Sequence, residues 1–121
     1  MVEETERILL DKVRVFAFVG PAGTGKSLRA QLVAQEFGVD FIIDDGLLIR
    51  KGQIVRGKSA KTEKNQVRAI RRALFEYADH RRSVAEFLFH SQPCSVMLIA
   101  TSSGMVSRIL GNLGLPPPEK I

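Results

Sequence analysis

The sequence predicts an α/β fold of three layers, in which a short, mostly parallel sheet lies between layers of helices. Three observations lead to this fold class. The β-branched and aromatic residues 13–19 run directly into a glycine-rich loop, which a helical pattern follows. A continuous apolar run at residues 95–100 is typical of a strand buried on both faces. Between these segments, extended and helical patterns alternate along the chain.

The length of the chain limits the number of domains that it can form. With 121 residues, of which 45% are hydrophobic, the chain is expected to form a single domain over 1–121 with a basic hairpin and linker inserted at 47–61. Only residues 13–19, 39–43 and 95–100 are convincing strands, so the sheet is predicted to be short and truncated. Either a protein partner or a further domain completes it, or the chain is part of a longer protein.

Residues 20–27 read GPAGTGKS, a complete G-x-x-x-x-G-K-[ST] motif. Its glycines allow the backbone to wrap a phosphate group, and the following helix presents its N-terminus to the same anion. Lys26 is predicted to contact the β- and γ-phosphates, and the Ser27 hydroxyl to bind Mg²⁺. The residues predicted to contact the nucleotide are Gly20, Pro21, Ala22, Gly23, Thr24, Gly25, Lys26, Ser27 and Leu28.

The surroundings of the motif agree with this function. Apolar residues recur at helical spacing after the loop, and Gly38 is expected to end that helix. The apolar residues at this spacing are Leu28, Leu32, Val33 and Phe37.

On these residues the chain resembles the P-loop NTPase superfamily of the Walker A type. The resemblance implies ATP or GTP bound with Mg²⁺ on a parallel α/β sheet. GPAGTGKS looks more like the loops of ATPases than those of GTPases, and the chain has no Asn-Lys-x-Asp guanine-reading motif. Mg-ATP is therefore the expected ligand, while ATP hydrolysis, phosphoryl transfer to an acceptor and a nucleotide-dependent switch with little turnover all stay open.

Two acids follow the second strand. Asp44 and Asp45 come directly after Phe41-Ile42-Ile43, where strand ends of a parallel sheet reach the ligand crevice. Lys26 and Asp44 are the predicted catalytic residues, and Ser27, Asp44 and Asp45 the predicted metal ligands. The spacing from Lys26 resembles the acidic motif of small kinases. Asp-Asp-Gly is also good turn chemistry, which is the alternative interpretation.

The third strand ends in Thr101-Ser102-Ser103 without an acid, which departs from the usual Walker B pattern. The polar end resembles the sensor position of AAA-type ATPases. The favoured interpretation is that Ser102 or Ser103 caps the next helix, and the two roles are compatible. That helix is expected to carry Met105, Val106 and Ile109 and to end at Gly114.

Basic residues crowd the middle of the chain, between Arg50 and Arg72. A hairpin is predicted at 47–55 and a flexible linker at 57–61, followed by a helix capped by Thr62 and interrupted at Asp79 or His80. Three interpretations of the basic segment stay open: a lid or substrate site, a nucleic-acid-binding face, or a solvated surface.

Composition excludes several other classes. The single cysteine, Cys94, rules out a disulfide within the chain and is expected to be a small buried hydrophobe, in keeping with a cytoplasmic protein. The acidic N-terminus does not read as a signal peptide, and no apolar run reaches membrane-spanning length. His80 and His90 have no metal-ligand spacing, so a zinc site is not expected.

Overall fold

The computed structural model describes residues 8–21 and 25–119. Along them run five strands, four α-helices and one short 3₁₀ turn, Ala60–Thr62. The strands are β1 (Val13–Val19), β2 (Phe41–Asp44), β3 (Leu47–Arg50), β4 (Gln53–Gly57) and β5 (Cys94–Ala100). The helices are α1 (Lys26–Phe37), α2 (Gln66–Ala73), α3 (Ala78–Ser91) and α4 (Ser103–Leu113).

One five-stranded sheet, in the order β1-β5-β2-β3-β4, contains all the strands of the described ranges. β5 pairs in parallel with β1 on one side and β2 on the other. β2, β3 and β4 continue the sheet as antiparallel neighbours. The three predicted strands and the predicted hairpin are therefore confirmed, and the hairpin joins the main sheet.

Helices cover both faces of this sheet. On one face, α1 contributes Ala30 and Ala34 to a small core with Ile42, Met97 and Ile99. On the other, α3 and α4 pack over the larger core, whose helical members are Val84, Ala85, Leu88, Val106, Ile109, Leu110 and Leu113. The predicted three-layer α/β class is confirmed.

Three of the four apolar residues at helical spacing on α1 are exposed. Leu28, Leu32 and Phe37 are 65%, 58% and 61% exposed, and Val33 alone packs against the small core. Ala30 and Ala34, one turn apart, face the sheet instead, because their small side chains let the helix lie close to it. Gly38, with φ of 68°, ends α1 as predicted.

The boundaries of α2 and α3 also differ from expectation. Asn65, not Thr62, caps α2: its side chain accepts a hydrogen bond from the Arg68 amide at 2.9 Å. The break lies before Asp79 and His80, because Phe75 takes a left-handed φ of 61° and buries its ring completely. Both predicted break residues lie inside α3.

The segment predicted as a flexible linker is ordered. Ser59 caps the 3₁₀ turn by accepting a hydrogen bond from the Lys61 amide at 3.1 Å. At its start, Gly57 lies against Gly46, and a Cβ on either glycine would collide with backbone atoms. The linker is therefore held against the turn that follows β2.

The remaining local predictions on α4 and Cys94 are confirmed. Ser102 caps α4 by accepting from the Met105 amide at 3.1 Å, and Gly114 ends that helix. Cys94 is buried, and burial raises the pKa of its thiol to about 11, so the thiolate form is scarce at neutral pH. No helix in the described ranges is long and apolar enough to cross a membrane.

The contact between Gly46 and the linker gives a first testable prediction. Gly46→Ala introduces a Cβ both at a φ of 83° and against the Lys58 carbonyl. Gly52→Ala is the matched control, since Gly52 has a similar φ of 79° but its new Cβ would meet no atom of another described segment within 4 Å. We expect the control to lose about 1–2 kcal/mol of unfolding free energy in urea titrations and Gly46→Ala to lose clearly more. Equal losses would contradict the close approach.

The side chain of His80 packs against the same turn, residues 44–46. Its ring is 6% exposed and stacks on Phe75 at 4.5 Å. Nε2 lies 2.7 Å from the Gly46 carbonyl oxygen and 3.2 Å from the Lys58 amide nitrogen. The shorter contact fits the neutral tautomer that donates from Nε2, because the Lys58 amide also has the Gly46 carbonyl as an acceptor. Nδ1 is buried without a hydrogen-bond partner among the described residues. Burial lowers the pKa of His80 below its ordinary value, opposed by the Gly46 hydrogen bond and assisted by Arg72 and Lys58.

This environment predicts a pH dependence of stability. The unfolded chain takes up a proton on His80 below about pH 6.5, whereas the folded chain resists it, so unfolding free energy should fall as the pH drops through that value. We expect His80→Gln to flatten the dependence measured between about pH 8 and pH 5. His90→Gln, at an exposed position of the same helix, is the control and should keep the wild-type slope. A His80 variant with an unchanged slope would refute this origin.

Candidate functional site at the carboxyl ends of the parallel strands

Three chain segments leave the sheet at the same edge, because β1, β5 and β2 are parallel. β1 continues into Gly20, β5 into Thr101, and β2 ends at Asp44. Val19 and Ala100 are partners in register, and the Gly20 amide donates to the Ala100 carbonyl at 3.1 Å. The glycine-rich loop is thus fixed to the end of the central strand, with β2 on its far side.

The helix that follows the loop is open at its N-terminus. Gly25 occupies the N-cap position with φ of 71° and ψ of 27°, and no side chain of the described residues caps the helix. The first turn of α1 also contains no acid. Its amide groups and its dipole are therefore well suited to an anion.

The described parts of the predicted phosphate loop surround this helix start. The Lys26 ammonium lies 3.4 Å from the Pro21 carbonyl oxygen, and its aliphatic stem passes beside Gly20. Leu28, also predicted to contact the nucleotide, belongs to the first turn of α1. Ala22, Gly23 and Thr24 lie outside the described residues.

Ser27 and Asp44 come together across the end of the sheet. The Ser27 hydroxyl donates to Asp44 Oδ2 at 2.7 Å, although 17 residues separate them in sequence. A hydroxyl and a carboxylate oxygen are ligands that Mg²⁺ prefers, so the residues present fit this ion. Within the described ranges no group of three or more His, Cys, Asp or Glu could hold a metal. An ion here would therefore complete its shell with phosphate oxygens and water.

Asp45 has different partners from its neighbour. Its carboxylate accepts from the Ser59 hydroxyl at 2.5 Å, and its carbonyl accepts from the Ala60 amide at 3.1 Å. With φ of 55°, the residue occupies the left-handed conformation of a tight turn. These contacts favour the turn interpretation for Asp45, and its assignment to the metal stays a prediction.

The next residue, Gly46, extends the link to the basic segment. Its carbonyl oxygen accepts from the Lys58 amide at 3.3 Å and faces His80. The Asp-Asp-Gly pattern indicated the turn, but no local pattern could identify Ser59 or His80 as its partners, since both are distant in sequence. Residues 44–46 thus connect the candidate metal position to residues 58–60.

The polar end of β5 lies between the loop and Asp44. Ser102 caps α4, whereas the exposed Thr101 hydroxyl contacts, among the described residues, only the Met105 sulfur at 3.6 Å. Thr101 is therefore the residue of this group that is placed to meet a ligand at the sheet edge.

Comparison with known families agrees with this geometry. A model of the "ATPase family associated with various cellular activities (AAA)" matches residues 16–101, from within β1 to the residue after β5. Comparisons with curated proteins and with solved structures find no match. The family match covers most of the chain and contains the glycine-rich loop, Asp44 and Thr101. The chain therefore belongs to the AAA family of P-loop, nucleotide-binding ATPases.

Proposed function

We propose that this protein binds ATP together with Mg²⁺ and hydrolyses it at the edge where β1, β5 and β2 end. The observation that carries the proposal is the 2.7 Å hydrogen bond between Ser27 and Asp44, directly beside the open N-terminus of α1. Membership of an ATPase family supports water as the acceptor. Phosphoryl transfer to another acceptor is the alternative within the enzyme class.

Binding of the triphosphate rests on three groups of the chain. Lys26 supplies a compact positive charge to the β- and γ-phosphates. The amides at the start of α1 donate to the same oxygens, strengthened by the helix dipole. Gly20 and Gly25 keep side chains away from the curve of the loop.

Asp44 has two roles in the proposed mechanism. It holds the Ser27 hydroxyl in one orientation, and its second carboxylate oxygen is available to bind water or to accept a proton from it. Mg²⁺, when held by Ser27 and assisted by Asp44, supplies positive charge to the phosphate oxygens. Thr101, at the end of the central strand, is a hydroxyl donor for the γ-phosphate or for the attacking water.

A second candidate function is a nucleotide-dependent switch with little turnover. It is favoured by the connection from Asp44 through Asp45 and Gly46 to residues 58–60. A shift of Asp44 on nucleotide binding would then reposition the hairpin β3–β4 and the basic segment. The absence of an acid at the end of β5 also favours slow chemistry.

Isothermal titration calorimetry tests the nucleotide site. We expect wild type to bind Mg-ATP more tightly than Mg-GTP, and Lys26→Ala to weaken binding about ten- to hundredfold through loss of a charged hydrogen bond. Lys12→Ala removes the same charge from an exposed position at the start of the sheet and should bind like wild type. A folded wild-type protein that binds neither nucleotide would overturn the proposal.

Matched substitutions at the two neighbouring carboxylates separate a catalytic role from a structural one. Asp44→Asn should lower kcat about a hundredfold or more while changing ATP affinity only slightly. Asp45→Asn should keep turnover and instead lose about 1–2 kcal/mol of unfolding free energy through its weakened bond to Ser59.

Release of ADP and inorganic phosphate, measured together, separates the alternatives. Equal amounts of both indicate hydrolysis, and ADP formed only with an added acceptor indicates a kinase. Tight ATP binding without turnover in the wild type supports the switch. Equal effects of the Asp44 and Asp45 substitutions on kcat would refute the assigned division of roles.

A further inference from the structure

Charge is divided very unevenly along this chain. Residues 50–72 contain nine basic residues and one acid, a net charge of +8, whereas the rest contains nine basic residues and twelve acids, a net charge of −3. Eight of the nine basic side chains are exposed, and only Arg72 is partly buried. The segment therefore forms a strongly positive surface on an otherwise acidic protein.

Part of this charge already has partners within the fold. Arg72 forms a 2.7 Å ion pair with Glu63, and Arg71 a 3.2 Å ion pair with Glu76. The two arginines of the hairpin, at positions 50 and 56, lie over phenylalanine rings. In the part of the chain that the structure describes, no ion pair involves the cations that remain. Four of these cations follow β4 along the chain, and we define them as the basic surface: Lys58, Lys61, Lys64 and Arg68. The fifth, Lys51, lies at the opposite end of the hairpin and lines a separate cavity.

The basic surface follows consecutive elements. It begins directly after β4, continues through the 3₁₀ turn, and ends in the first turn of α2. A cavity of about 570 Å³ lies along it, lined among others by Lys58, Asn65, Arg68 and Tyr77. A single phosphate requires cations that converge on one point, whereas a row of separate cations suits a row of phosphates.

The chemistry of this row favours a nucleic acid over an acidic protein. Three of its four members are lysines, a residue depleted in protein–protein interfaces but used widely to contact phosphates. The only aromatic residue lining the cavity, among the described residues, is Tyr77, and the Arg72 guanidinium lies over its ring at 4.3 Å. A base would have to displace this arginine in order to stack, so the contacts offered are to the backbone and are independent of sequence.

We propose that the basic surface binds the sugar-phosphate backbone of a nucleic acid. The interaction goes beyond nucleotide hydrolysis and requires no ATP, since none of its residues belongs to the phosphate loop. Duplex DNA, single-stranded DNA and RNA share the phosphodiester chemistry, and the experiment compares all three.

Fluorescence anisotropy with labelled, mixed-sequence oligonucleotides of these three kinds, titrated at increasing KCl concentration without ATP, tests the proposal. We expect binding that weakens steeply with salt. Lys64→Ala should lower the slope of log K against log salt by about 1, and Lys61→Ala/Lys64→Ala/Arg68→Ala by about 3. Lys12→Ala, the exposed control outside the surface, should keep the wild-type slope.

Two further measurements separate this surface from the nucleotide site and a nucleic acid from an acidic protein. Lys26→Ala should bind oligonucleotides like wild type, so a failure of the nucleotide site and a failure of this surface are distinguishable. Polyglutamate is the probe for an acidic protein partner and should compete weakly. Absence of salt-dependent binding, wild-type behaviour of the triple variant with an unchanged circular dichroism spectrum, or competition by polyglutamate equal to that of unlabelled DNA would each overturn the proposal.

Discussion

The position of β5 between β1 and β2 is the constraint on which the rest of the structure depends. Its central residues Val96, Met97 and Leu98 are fully buried, and each such side chain contributes about 1.5–3 kcal/mol of hydrophobic stabilisation. Parallel pairing on both sides aligns three strand ends at one edge. Without it, the glycine-rich loop and Asp44 would have no common frame, and Ser27 could not reach a carboxylate 17 residues away.

In the turn after β2, two adjacent aspartates have different partners: one belongs to the candidate catalytic site and the other stabilises the fold. Asp44 faces the loop and bonds to Ser27, while Asp45 turns away to Ser59 and fixes the following segment. Gly46 permits the close approach of Lys58, since a Cβ at this position would collide with the Lys58 carbonyl. One tight turn therefore supports the candidate catalytic site and residues 58–60, and hydrogen bonds connect the two directly.

The concentration of positive charge in residues 50–72 has a cost in mutual repulsion, and the fold relieves part of it. Glu63 pairs with Arg72 where both side chains are largely shielded, and the hydrogen bond from Arg72 holds the pKa of Glu63 below its ordinary value. Arg71 and Arg72 also lie over the Tyr77 ring. These contacts involve Arg71 and Arg72 and leave the lysines and Arg68 exposed, so positive charge on this surface stays accessible to a polyanion.

The sequence by itself determined the features that reside in contiguous residues. The strand, loop and helix around GPAGTGKS, the apolar central strand, the hairpin and the glycine helix ends were all readable, because backbone conformation there follows local composition. Tertiary structure decided which groups meet. It turned Ala30 and Ala34 of α1 toward the sheet and left Leu28 exposed, because close packing on the sheet outweighs side-chain hydrophobicity. It also sent Asp44 to Ser27 and Asp45 to Ser59, contacts that depend on the order of strands in the sheet and that no local pattern encodes.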